Sequence, residues 1–225
     1  QNLYLYTKSG LSTGSFLLLM LPYTILSGVM LAISIWFLYR KEGSYERVAI
    51  KKTTLNTRQL IYYSVLFILC LFSVAKILPV WILFLIVIIA LLIGNRKLFT
   101  RIDYGLLLTF AAFFVFIGNM GRYPAFRDFL TSIISGQEQL TAILSSQIIS
   151  NVPAALLLSG FTDNWEALIL GTNIGGLGTL IASMASLISY KQIAASYPEQ
   201  KKKYLWQFTL WNVAFLAIFL IITIF

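Results

Sequence analysis

Long apolar runs separated by short polar loops set the pattern of this chain. Apolar residues dominate 16–39, 59–76, 80–95, 104–121 and 204–225. Each run approaches the roughly 20 residues that cross a hydrocarbon layer about 30 Å thick. Pro22 and Gly28 interrupt the first run, which membrane helices tolerate when neighbours satisfy the backbone. The runs 59–76 and 80–95 meet at a very short turn before Val80, which predicts an antiparallel helical hairpin. The run 104–121 opens at Asp103-Tyr104 and closes at Gly121-Arg122.

Two stretches depart from that pattern. Residues 126–162 carry Arg127, Asp128, Gln137, Glu138 and Gln139. Their more apolar part is broken by Ser145-Ser146-Gln147 and then by Ser150-Asn151-Val152-Pro153. Neither arm is long enough to span alone, so a re-entrant hairpin over about 128–160 is expected. Residues 166–190 read as one span interrupted at Gly171-Thr172-Asn173-Ile174-Gly175-Gly176-Leu177-Gly178-Thr179. Four glycines in eight residues weaken a continuous helix severely.

Composition agrees with the pattern. Hydrophobic residues make up 59% and charged residues 11%, against about 25% charged in an ordinary soluble domain. Aromatic residues reach 15%, and several sit at the ends of the runs, as in an interfacial belt. The net charge of +9 is better explained by loop lysines and arginines than by nucleic acid, and no nucleic-acid partner is expected. With 40–58 on the cytoplasmic side and 126–162 re-entrant, the loops 40–58, 96–103 and 191–203 share that side. They hold 13 of the 17 basic residues, as the positive-inside rule requires. A single crossing by 126–162 would move Lys191 and Lys201-Lys202-Lys203 to the outer side. Cys70 is the one cysteine, so no intrachain disulfide forms, and the absence of histidine excludes His-based zinc sites, triads and proton relays within this chain.

The two breaks hold the candidate chemistry. Unpaired backbone in hydrocarbon costs several kcal/mol per group, so broken helices persist only where protein or a water-filled cavity covers them. Transporters use such breaks: half-helix N-termini face anions, and freed carbonyls coordinate cations. At the first break Pro153 removes a backbone donor, Asn151 offers a donor and an acceptor, and Ser150 adds a hydroxyl. At the second, Thr172, Asn173 and Thr179 carry oxygen ligands suited to a hard cation. A kinked helix at 150–154, or close helix packing through Gly175 and Gly176, would explain the same residues without a site. Asp163 and Glu166 read mainly as solvated loop or first-turn charges, and Asp128 and Glu138 as interfacial ones.

The order Ser-Asn-Val-Pro at 150–153, a short loop, then Gly-Thr-Asn-Ile-Gly-Gly at 171–176 resembles the second repeat of the ion transporter superfamily. That group contains citrate, dicarboxylate, arsenite and sodium/proton carriers. The resemblance covers about 100–225 and includes Ile102-Asp103-Tyr104-Gly105-Leu106. Gln1-Asn2-Leu3-Tyr4-Leu5-Tyr6 is similar to the stretch that follows the broken helix of the first repeat. The resemblance implies an all-α, polytopic transmembrane bundle of inverted-repeat type, with a re-entrant hairpin and an unwound helix. Its expected parts are the end of a first repeat at 1–39, a cytoplasmic linker at 40–58, a scaffold hairpin at 59–101 and a transport region at 102–225. Within the last lie the hairpin 128–160, the broken helix 166–190 and the final span 204–225.

On this reading the chain is a multi-pass protein of the cell (inner or plasma) membrane. It is a secondary active transporter for a small, carboxylate-like anion coupled to Na⁺ or H⁺, and not an enzyme. Substrate and ion would meet Ser150, Asn151, Val152, Pro153, Gly171, Thr172, Asn173, Gly175, Gly176 and Thr179. Na⁺ would be held by Ser150, Asn151, Gly171 and Asn173, with no other cofactor. The expected partners are the lipid bilayer, the anionic substrate, a first repeat of the same polypeptide missing here, and a second copy in a homodimer. Arsenite or oxyanion export and sodium/proton antiport on the same fold remain alternatives, as does a membrane scaffold subunit without transport.

Overall fold

A computed structural model describes residues 1–40 and 56–224. The expected linker 40–58 lies mostly outside the described residues, as does Phe225. All regular elements among the described residues are helices: α1 (Asn2–Ser9), α2 (Thr13–Tyr39), α3 (Thr57–Val74), α4 (Val80–Gly94), α5 (Tyr104–Met120), α6 (Pro124–Ile134), α7 (Glu138–Ile149), α8 (Asn151–Leu158), α9 (Trp165–Ile174), α10 (Met184–Ser196) and α11 (Lys201–Ile224). Three segments are long and apolar enough to cross a membrane: Thr13–Leu38, Thr57–Val74 and Pro198–Thr223. A fourth arises if α5 and α6, bent by 100°, form one broken span. The protein is therefore a polytopic helical membrane protein.

The chain divides into two compact units. One is Ser12–Asp103. Here α2 starts where the Ser12 hydroxyl accepts the Ser15 N–H at 3.0 Å. Its 27 residues give a helix about 40 Å long, ample for a bilayer core. Helix α3 is capped by Asn56, whose side chain accepts from Arg58 and Gln59. A five-residue turn with Lys76 in the left-handed region leads into α4. The Tyr62 hydroxyl donates to the Ala90 carbonyl at 2.5 Å and ties α3 to α4. Neither helix contains a buried residue, and large apolar side chains such as Phe67, Phe84 and Ile93 stand exposed, as lipid-facing surface does.

The other unit joins Gln1–Leu11 to Tyr104–Phe225. Its core is small and well packed: Leu5, Ile134, Ile143, Leu158, Leu168 and Ile169 are each 1% exposed or less. Helix α6 starts at Pro124, where a missing N–H costs nothing, and turns sharply from α5. The hairpin arms are thus α7 and α8, and residues 124–134 form a helix of their own. The expected break at 171–179 lies slightly later: α9 runs through Ile174, and residues 175–183 are irregular before Ser183 caps α10. Gly171 stays helical because α7 lies directly against it, as detailed below.

Candidate functional site

Helices α7 and α8 meet at Ser150. Ser150 adopts φ 72°, ψ 150°, a region essentially reserved for glycine. The turn therefore lies at Ser150 itself. Pro153 sits in the first turn of α8, where it removes no helical hydrogen bond, so it is compatible with α8 and does not make the break. The Ser150 N–H donates to the Ser146 carbonyl at 3.0 Å and closes α7. The Asn151 N–H crosses to the Ala182 carbonyl at 2.9 Å, and the Ser150 hydroxyl leans on the same oxygen at 3.5 Å. Val152 and Pro153 are half-buried beside them.

The irregular stretch 175–183 is shaped around this tip. A Cβ on Gly175 would come 2.8 Å from the Ser146 side chain, and one on Gly176 would come 2.8 Å from the Asn151 amide nitrogen. A Cβ on Gly178 would collide with Gln147 Oε1, and the residue's φ of 102° suits only glycine. One turn earlier, a Cβ on Gly171 would meet the Gln139 carbonyl at 2.6 Å and the Ala142 Cβ at 2.8 Å. The glycines are thus a cast of α7 and the hairpin tip. Close packing against α7 and the hairpin tip accounts for these glycines.

The polar candidates fall into separate groups. Thr172 is fully buried, and its hydroxyl bonds back to the Leu168 carbonyl at 2.8 Å, a local helix contact. The Asn173 carboxamide pairs reciprocally with Asn2, donating at 2.6 Å and accepting at 2.9 Å, and also donates to the Ile169 carbonyl. Gln1 Nε2 donates to the Thr172 carbonyl at 3.3 Å. Segment 1–11 therefore docks on α9, further secured by Tyr4 Oη to Ser159 Oγ at 2.9 Å and Lys8 Nζ to the Ser159 carbonyl at 3.2 Å. Thr179 faces α7: its N–H and hydroxyl both donate to Gln147, at 3.0 and 3.2 Å. Of the four residues expected to hold Na⁺, Ser150 and Asn151 reach the break. The Gly171 carbonyl accepts the Gly175 N–H at 2.8 Å, and Asn173 turns toward Asn2.

Asn151 stands apart from these satisfied groups. It is 7% exposed and its carboxamide makes no hydrogen bond among the described residues, although the fully enclosed polar atom left unpartnered there is Gln139 Nε2, not the Asn151 amide. Buried amides are normally paired. Residues 145–154 and 171–183 contain no charged side chain, so the tip and break are polar but neutral. The charged residues gather elsewhere in this unit. Arg127, Asp128, Glu138 and Asp163 line an open cavity of about 790 Å³ beside Ser159 and Phe161. Gln147 was not among the sequence-based site residues. A glutamine inside an apolar arm at membrane depth must find partners, and that requirement was the available signal.

The family model for citrate transporters matches residues 1–164, which include the hairpin. An uncharacterized transporter of Methanocaldococcus jannaschii is 37% identical over 191 residues, covering 85% of this chain and 51% of that protein. The inner membrane protein YbiR of Escherichia coli is 26% identical over 219 residues, covering 96% of this chain and 57% of its own length. The chain thus spans about half the length of the curated relatives it matches. No solved structure matches it. These matches agree with the superfamily resemblance in the hairpin and break motifs. Taken with the family match over most of its length, they mean that the chain belongs to the citrate transporter family, whose members are membrane transporters rather than enzymes.

Proposed function

We propose that this chain forms half of the transport pathway of a secondary active transporter, one that carries a small carboxylate-like anion coupled to Na⁺ or H⁺. The observation that supports this reading is the Asn151 side chain, 7% exposed at the meeting point of hairpin and break, whose carboxamide makes no hydrogen bond among the described residues and keeps its polar atoms within reach of a ligand. Ser150 and Asn151 are the groups offered to ion and substrate. The N-terminus of α8 adds a favourable dipole for an anion. Within this half Na⁺ is favoured over H⁺, because neither the tip nor the break holds a side chain that titrates near neutral pH. The hairpin is re-entrant, and the interlocked tip and break move as one body during alternating access. The other half-site belongs to an inverted repeat of the same polypeptide.

The test is uptake of labelled citrate and succinate by the full-length polypeptide in proteoliposomes, under a Na⁺ gradient, a proton gradient or neither. Gradient-driven accumulation of a carboxylate is expected, stronger with Na⁺. Flux of arsenite alone, or Na⁺/H⁺ exchange without carboxylate, would move the protein to another branch of the superfamily. No gradient-dependent flux of any kind would end the transport reading.

A further inference from the structure

Gln147 occupies the centre of the break. Its Nε2 is surrounded by three backbone carbonyls: Gly175 at 2.8 Å, Leu177 at 3.0 Å and Ile143 at 3.3 Å. At the other end Oε1 accepts the Thr179 N–H at 3.0 Å, and the Gln147 carbonyl takes the Thr179 hydroxyl at 3.2 Å. The orientation of the amide follows from these partners. Three acceptors need the NH₂ end and one N–H needs the oxygen, so the reversed amide would lose all four contacts. Gly178 lies against Oε1 with φ 102°, leaving no room for a Cβ. The break is wrapped around this side chain.

Unwinding a helix frees carbonyls that must be satisfied inside a membrane. A ring of carbonyl oxygens is also what a hard cation seeks. In this protein the two break carbonyls, those of Gly175 and Leu177, already face a donor tethered to the hairpin, while the third, Ile143, belongs to α7 itself. We propose that Gln147 is a built-in substitute for a cation. As a positioning residue, it holds the break in its unwound form without an ion and locks the break to α7. The carbonyls of Gly175 and Leu177 are therefore not ion ligands, and an ion bound in this half must use Ser150 and Asn151. Only that last consequence rests on the transport reading; the role of Gln147 in the break does not.

The experiment is hydrogen–deuterium exchange and thermal unfolding of the full-length polypeptide in nanodiscs, with no substrate, in NaCl or in equimolar choline chloride. Gln147→Met keeps the volume and removes every side-chain polar contact, leaving only the backbone carbonyl that takes the Thr179 hydroxyl. It is expected to speed exchange across 175–183 by about tenfold or more, leaving α11 unchanged. Gln147→Glu keeps the acceptor for Thr179 but places a carboxylate on the carbonyl ring. It is expected to retain protection at Thr179 and to gain a Na⁺-dependent rise in midpoint larger than that of the unmodified protein, as the ion enters the vacated place. Unchanged exchange at 175–183 in Gln147→Met would overturn the proposal. So would Gln147→Glu with no Na⁺ response beyond that of the unmodified protein. Should Gln147→Met not fold, the Glu variant decides alone. Neither readout depends on flux, so failure here and failure of carboxylate transport are separate results.

Discussion

Two helical hairpins among the described residues are built on opposite plans. Helices α3 and α4 join through a tight turn, expose their apolar side chains and share one side-chain bond, Tyr62 to Ala90. Helices α7 and α8 turn on a strained serine, bury Ala142, Ser146, Asn151 and Ala154, and fit against a glycine-rich break with almost no clearance. The first is organised by its surroundings, since apolar helices in lipid need only satisfied backbones. The second is organised by its neighbour. Polar groups at depth need fixed partners, and fixed partners need close backbone approach.

The sharpest way to break this contrast is to add one methyl group to a glycine of the first hairpin and one to a glycine of the break packed against the second. Gly175→Ala drives a Cβ into the Ser146 side chain and the Gly171 carbonyl, both at 2.8 Å, and backbone cannot move aside. A loss of about 3 kcal/mol is expected, at the upper end for overpacking, with transport abolished. Gly94→Ala meets the Tyr62 hydroxyl, also at 2.8 Å, but that is the far end of a side chain rather than backbone, and it can shift at the expense of its bond to Ala90. Its cost should stay below about 1 kcal/mol. Thermal unfolding of both purified variants checks the pair. Equal losses would mean that the two hairpins do not differ in the way described.

Asn151→Ala separates site from scaffold. The carboxamide has no partner among the described residues, so its removal leaves no orphaned protein group and stability should change by less than about 1 kcal/mol. Gradient-driven uptake should fall by roughly 10- to 100-fold, the worth of one hydrogen bond to a charged ligand. Folded protein with unimpaired uptake would make Asn151 a structural residue. A large loss of stability would show that its amide has a structural partner.

Hydropathy carried most of the element order, because apolar runs near membrane length admit few readings. The tip at Ser150 and the glycine-rich stretch were legible for the same reason: each breaks a helix where breaks are costly. Three features were not. Helix α6 is signalled only by Pro124 and was absorbed into the hairpin. The break lies at 175–183 rather than 171–179, because whether Gly171 ends a helix depends on α7 lying against it, a contact with no local trace. Segment 1–11 docks on α9 through bonds between residues about 170 positions apart, such as Asn2 with Asn173. Gln147 was visible only as an interruption, since its partners arise only once the break has folded around it.

Smaller effects sharpen the comparison further. The reciprocal Asn2–Asn173 pair is exposed, so Asn173→Ala should cost about 1 kcal/mol. A double-mutant cycle with Asn2→Ala should return a coupling of about 0.5–1 kcal/mol. No coupling would mean that segment 1–11 is held by Leu5, Tyr6 and the Ser159 contacts instead. The smallest effect belongs to the hairpin of α3 and α4. Tyr62→Phe deletes the hydroxyl that donates to Ala90 and keeps the ring. The Ala90 carbonyl loses nothing essential, since it lies within α4 and keeps its helical position. Side-chain hydrogen bonds between membrane helices average about 0.6 kcal/mol, and this one should match that figure. Unfolding of Tyr62→Phe beside Gly94→Ala measures it. Two small losses are expected if no single internal bond holds α3 and α4, and they couple in the double variant because Tyr62→Phe deletes the atom that the new Cβ meets. A loss near that of Gly175→Ala would show that this hairpin too depends on one internal bond.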